Sequence, residues 1–211
     1  PLEFPVTPLQ YTDDINRNGY PDFFAFKGED IYSSMHLYDI TKKGIQSIWE
    51  FSLNEKYAFI IDAIILDIDG DGNNEIIAAI EFEKKNGVFY IFNSTENSFS
   101  NSPTLINYPK LKRNHQLSDF IAIDWDNDGD EEIAIATASP ERAVYICDYE
   151  NNKFEILETV AEDFIQQSFG SLMLNGGDGD NDGVDDLFII SNGIEPQIYQ
   201  LLSSSESKNS T

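Results

Sequence analysis

One pattern recurs four times in this 211-residue chain and limits what it can fold into. It reads acid, any residue, Asp or Asn, any residue, Asp or Asn, Gly, two residues, acid, then an apolar residue. The copies are Asp14-Ile-Asn-Arg-Asn-Gly-Tyr-Pro-Asp22, Asp67-Ile-Asp-Gly-Asp-Gly-Asn-Asn-Glu75, Asp124-Trp-Asp-Asn-Asp-Gly-Asp-Glu-Glu132 and Asp178-Gly-Asp-Asn-Asp-Gly-Val-Asp-Asp186. Matches of this length at nearly even spacing mark tandem copies of one supersecondary unit.

Between the acid loops the chain reads as short strands. In the third copy Asp119–Asp124 leads into the loop and Glu132–Thr137 leads out, followed by Ala143–Asp148 and Lys153–Glu158. In the second copy the strands are Phe59–Leu66, Glu75–Phe82 and Gly87–Phe92. Four strands joined by tight turns make an up-and-down antiparallel sheet. Strands this rich in Ile, Val and Phe are apolar on both faces, so each sheet needs a neighbour on either side. That requirement favours the radially packed blades of a β-propeller over a sandwich. The expected fold is all-β, with four tandem four-stranded blades across residues 1–202. Residues 203–211, rich in Ser and Asn, read as a polar flexible tail or linker, and the last copy reaches that tail before a clear fourth strand.

The acid loops have the chemistry of a calcium site. Ca²⁺ takes six to eight oxygen ligands at about 2.3–2.6 Å. Acids at positions one, three and five converge when the chain wraps round a centre, and Gly at position six allows the sharp turn. Position seven turns its carbonyl inward and the acid at position nine closes the shell. The expected ligands are Asp14, Asn16, Asn18, Tyr20 and Asp22 in the first loop, and Asp67, Asp69, Asp71, Asn73 and Glu75 in the second. The third offers Asp124, Asp126, Asp128, Asp130 and Glu132, and the fourth Asp178, Asp180, Asp182, Val184 and Asp186. Up to four Ca²⁺ are expected, with the first site weakest because Asn16 and Asn18 bring neutral oxygens. The competing reading is a solvated turn, since Asp, Asn and Gly are common turn formers. An EF-hand is excluded because its closing acid stands at position twelve and helices flank it, and Mg²⁺ is disfavoured by its preference for a rigid, hydrated octahedron.

The charge agrees with metal loops. The chain has 13 basic against 38 acidic residues, a formal net charge of −25, yet 41 % of its residues are hydrophobic, too apolar for a disordered chain. Such a field repels nucleic acid and anionic lipid. No apolar stretch approaches the ~20 residues of a membrane span, so direct membrane insertion is not expected. The single Cys147 forms no internal disulfide and sits in an alternating strand, where an inert buried thiol is expected. Asn93-Ser-Thr95 and Asn209-Ser-Thr211 fit the glycosylation sequon.

Taken together, the loops and their spacing resemble the FG-GAP repeats of integrin α-subunit propellers and the related VCBS-type bacterial repeats. The fourth copy is nearest, with Phe169-Gly170 where that family has its Phe-Gly pair. The resemblance implies a propeller, often seven-bladed, with metal on one face and partner binding on the other face and central rim. Further blades or a larger assembly would then complete this chain's four.

Catalytic candidates are few. His36 lies in an apparent strand and His115 in the basic turn Lys110-Leu-Lys-Arg-Asn-His115; a structural or surface role is expected for each. The run Lys110, Lys112 and Arg113 is a candidate contact for an acidic ligand. Tyr57, Tyr108 and Trp49 are candidate aromatic contacts for protein or sugar, with core packing the competing role. The acid pair Asp62 and Asp119 could in principle serve a glycosidase. The reading reached is a non-catalytic, calcium-binding module for adhesion or assembly, extracellular, on a cell surface or in the periplasm, with a protein or glycan ligand. The alternative is a polysaccharide lyase or hydrolase, or a lectin, on the same fold.

Overall fold

A computed structural model describes residues 9–11, 14–15, 18–28, 33–83, 86–95, 98–109, 117–138, 142–161, 172–191 and 197–203. Among these residues every regular element is a strand, and no helix is long and apolar enough to cross a membrane. The first sheet orders β1 (Leu9–Tyr11), β2 (Phe23–Lys27), β3 (Ser34–Thr41) and β4 (Gly44–Ser52) side by side. The second orders β5 (Ala58–Leu66), β6 (Glu75–Phe82), β7 (Val88–Phe92) and β8 (Thr104–Asn107). The third contains β9 (Leu117–Ile123), β10 (Glu132–Thr137), β11 (Val144–Glu150) and β12 (Lys153–Ala161), and the fourth β13 (Leu172–Gly177), β14 (Asp186–Ser191) and β15 (Gln197–Leu201). Strands neighbouring in sequence lie side by side, and from β1–β2 to β14–β15 the registered pairs run antiparallel, the meander of propeller blades. Among the described residues the fourth blade has three strands rather than four, in keeping with a repeat that runs into a polar tail.

The acid pattern falls between the first two strands of every sheet, and its closing acid begins or directly precedes the second strand. That second strand is the most deeply buried. Every residue of β6 and of β10 is buried, so neither shows the in–out alternation of a half-exposed sheet.

The chain divides into two compact units, Pro1–Leu66 with Gly72–Leu105, and Asp67–Asp71 with Ile106–Thr211. In the first, Phe24, Phe26, Met35, Leu37 and Trp49 of sheet one pack against Ile60, Ile76, Ile80 and Phe92 of sheet two. Trp49 meets Phe92 edge-on at 5.0 Å and Phe99 at 6.3 Å. The tryptophan is therefore core, and of the three candidate contact aromatics Tyr57 is the one that lies half exposed.

In the second unit the fit is of small residues against large. Ala134, Ala136, Val144 and Ile146 of sheet three receive Leu172, Leu174, Leu187 and Ile189 of sheet four. A β-bulge adds a polar tie. The extra residue is Ser118, where β9 slips against β10. Its Oγ donates to the Leu172 carbonyl at 3.1 Å, and Asp119 Oδ2 accepts the Leu174 N–H at 2.7 Å. Asp119 Oδ1 accepts the Phe120 N–H at 2.9 Å. Both carboxylate oxygens of Asp119 thus hold backbone. Sheet two repeats the bulge one residue before Asp62, whose Oδ1 accepts the Ala63 N–H at 2.8 Å. Cys147 is fully buried and its thiol is pushed up to about 12 by desolvation, the inert thiol expected.

Candidate metal centres

Each acid loop is wrapped by its own backbone before any ion is considered. The position-one carboxylate accepts the N–H of position five in all four loops: Asn18 to Asp14 at 2.9 Å, Asp71 to Asp67 at 3.0 Å, Asp128 to Asp124 at 3.1 Å and Asp182 to Asp178 at 3.0 Å. In three loops its second oxygen takes the N–H of the position-six glycine, Gly19, Gly129 or Gly183. The position-five side chain accepts the N–H of position seven, from Tyr20, Asp130 and Val184.

Backbone conformation explains the residue types. Gly19, Gly72, Gly129 and Gly183, all at position six, have φ of +92°, +87°, +98° and +91°. Position four is also left-handed in three loops, at Gly70, Asn127 and Asn181, the residue types that tolerate it. A Cβ at Gly129 would touch nothing within 4 Å, so its requirement is conformational and not one of space. Gly129→Ala is expected to destabilise by roughly 1–2 kcal/mol, the penalty for a side chain in this region, read by urea denaturation. Gly179 is the opposite case. A Cβ there would stand 2.6 Å from both Gln200 Nε2 and Phe188 Cζ, so an alanine must displace an aromatic ring.

These turns bring carboxylates together. Ligand oxygens of Asp67, Asp69 and Asp71 lie within 4.8 Å of one another, as do those of Asp124, Asp126 and Glu132, and those of Asp178, Asp180 and Asp182. A solvated turn would account for positions one, three and five. It does not account for position nine, where Asp22, Glu75, Glu132 and Asp186 are all buried. Carboxylates rarely sit in such places without a partner charge or full hydrogen bonding. In three loops one oxygen of that acid is held by the N–H of position two: Ile15 to Asp22 at 3.0 Å, Trp125 to Glu132 at 2.9 Å and Gly179 to Asp186 at 3.0 Å. The bond fixes one oxygen and leaves the other to a ligand. In the first loop that other oxygen, Asp22 Oδ1, is buried with no hydrogen-bond partner among the described residues.

Electrostatics agree. Burial, reinforced by Asp126, Asp128 and Asp124 and opposed by the Trp125 N–H, pushes Glu132 up to about 7. Burial likewise pushes Asp22 up to about 6, with Asp39 and Asp14 adding to the shift and the Ile15 N–H opposing it. A divalent ion beside such carboxyls would reverse the penalty of ionising them. The donor set is all oxygen, acidic and flexible, which suits Ca²⁺.

The first loop differs. Asn18 turns its amide nitrogen outward to Asp39 Oδ1 at 2.6 Å and to the Ile40 carbonyl at 3.1 Å, and Gln46 Nε2 holds Asp39 Oδ2 at 2.9 Å. Asp39 is buried and lies on β3, too far along the chain for the loop pattern to have singled it out. Gln200, which donates to Asp186 Oδ2 at 2.9 Å, and Glu158, which accepts Trp125 Nε1–H at 3.3 Å, were hidden in the same way. Asn16, His115, Lys110, Lys112, Arg113, Asn209 and the Phe169-Gly170 pair lie outside the described residues. Asn93 is exposed.

Compared with known families, residues 67–135 match the FG-GAP-like repeat, from Asp67 at the head of the second loop to Ile135 within β10. Residues 67–135 thus carry an FG-GAP-like repeat. The matched span contains the second and third acid loops whole, and the position-six glycines of the first and fourth loops repeat the same left-handed conformation outside it. No curated protein matches the chain.

Proposed function

We propose that this FG-GAP-type protein is a calcium-braced propeller module whose work is binding and assembly, outside the cell or in the periplasm. The reading is carried by the buried position-nine acid, which a surface turn has no use for and a cation shell does. Asp67, Asp69 and Asp71 would hold one ion. Asp124, Asp126 and Glu132 would hold a second, and Asp178, Asp180 and Asp182 a third. Bound calcium supplies charge compensation and cross-links the two ends of each hairpin loop, a structural and not a catalytic role. Loops with this many exposed carboxylates suit a compartment with abundant calcium, where extracellular modules work at about 10⁻⁴–10⁻³ M.

Asn18 already gives its amide to Asp39, so the first loop is held by hydrogen bonds and is the weakest site. Calorimetric titration of the chelator-treated protein is expected to count three ions bound strongly, with a fourth weak or absent. Heat of binding for a single ion, or for none, contradicts the reading. Glu132→Gln keeps the shape and removes the charge, and is expected to weaken one of the three by roughly tenfold or more, about 1.4 kcal/mol.

An assembly role has a physical motive in the fourth sheet. Its face turned from sheet three aligns Met173, Ile190 and Ile198 across the three strands, and Met173 and Ile198 are 51 % and 71 % exposed. In sheet three the corresponding face is covered by the next blade. A further sheet of the same kind, apolar on its near side, is the occupant this face fits.

A further inference from the structure

Sheet one has chemistry that the calcium reading does not use. Ser34 opens β3, and His36 follows on the same face two residues later. Glu50 is the register partner of His36 on β4. Ser34 Oγ lies 3.4 Å from His36 Nε2, and His36 Nδ1 lies 3.5 Å from Glu50 Oε2. The order is hydroxyl, imidazole, carboxylate, with each ring nitrogen given to a different partner. A proton on Nδ1 facing Glu50 leaves Nε2 as the acceptor for the Ser34 hydroxyl.

We propose that Ser34, His36 and Glu50 form a reactive-serine site that takes small activated acyl donors, esters foremost. The inference goes beyond the calcium-module reading and does not rest on it. Separations of 3.4 and 3.5 Å are of the kind that tighten when substrate binds. Three surroundings favour the chemistry. Burial draws the His36 proton affinity below its ordinary value, with Glu50 opposing that effect and Lys27 adding to it, which favours the unprotonated ring that can accept a proton. Lys27 is the register partner of Ser34 on β2, which puts a cationic side chain on the same face of the sheet. Tyr38 stacks on the imidazole at 6.1 Å and limits its rotation. The acid is the open member, with a side chain 74 % exposed against 19 % for the imidazole, while Ser34 is buried, so only a small donor fits against the hydroxyl.

In the reaction Ser34 Oγ bonds to the ester carbonyl carbon while its proton passes to His36 Nε2, and Glu50 stabilises the imidazolium. Collapse of the tetrahedral adduct breaks the bond to the alcohol oxygen, which leaves with the proton from His36. Water then attacks the acyl-serine by the same route, giving the carboxylic acid and restoring the hydroxyl.

The test is labelling of the calcium-loaded protein with a fluorophosphonate, with the site mapped by peptide mass spectrometry, alongside p-nitrophenyl acetate turnover. The expected result is label on Ser34 and acyl release lost in Ser34→Ala. His36→Gln is expected to slow labelling by roughly a hundredfold or more, and Glu50→Gln by a smaller factor. Circular dichroism confirms that each variant is folded. Label on another residue, no label on Ser34 in the wild type, or an unchanged rate in folded His36→Gln overturns the proposal. The wild-type map alone decides if a variant fails to fold.

Discussion

Excess chelator is expected to lower the melting temperature by roughly 15–30 °C, with calcium but not magnesium restoring it. The size follows from mass action. An ion that binds only the folded chain, at a hundredfold excess over its Kd, contributes about 2.7 kcal/mol, so three contribute about 8 kcal/mol. A chain of this length shifts by roughly 2–4 °C per kcal/mol. Magnesium fails because a loop of exposed carboxylates offers neither the rigid octahedron nor the retained waters that it prefers. Differential scanning calorimetry with and without chelator gives the comparison directly. A shift of only a degree or two would mean that the loops contribute little to the folded state.

The second large effect belongs to the core of sheets one and two. Phe92 is fully buried and meets Trp49 at 5.0 Å and Phe51 at 4.8 Å, both edge-on. Phe92→Ala removes the ring from the centre of that cluster and is expected to destabilise by about 3–5 kcal/mol. Phe92→Leu keeps most of the volume and is expected to lose distinctly less. Urea denaturation in saturating calcium separates this loss from any change in the loops. Equal losses for the two variants would show that the geometry of the aromatic cluster matters and its volume does not.

Much of this architecture was legible because two kinds of signal coincide. The acid pattern is local, and each of its residue types has a local cause: left-handed backbone at Gly19, Gly72, Gly129 and Gly183, and backbone N–H groups taken up by Asp14, Asp67, Asp124 and Asp178. The strands beside it are apolar on both faces, which is why Glu75–Phe82 and Glu132–Thr137 were read to the residue. β8 was not read at all. Thr104–Asn107 buries only Ile106, so no apolar period marks it. Partners drawn from distant strands were equally hidden. Asp39 holds Asn18 from β3, and Glu50 reaches His36 through strand register, a relation fixed by pairing and not by spacing.

The central claim is that the third loop closes round a divalent cation, with Glu132 drawn from the foot of β10 to complete it. Anomalous diffraction from crystals grown in millimolar calcium tests this most directly. The account predicts a peak among the carboxylates of Asp124, Asp126 and Glu132, with comparable peaks at the second and fourth loops. A clean map with only water at those three positions would contradict it.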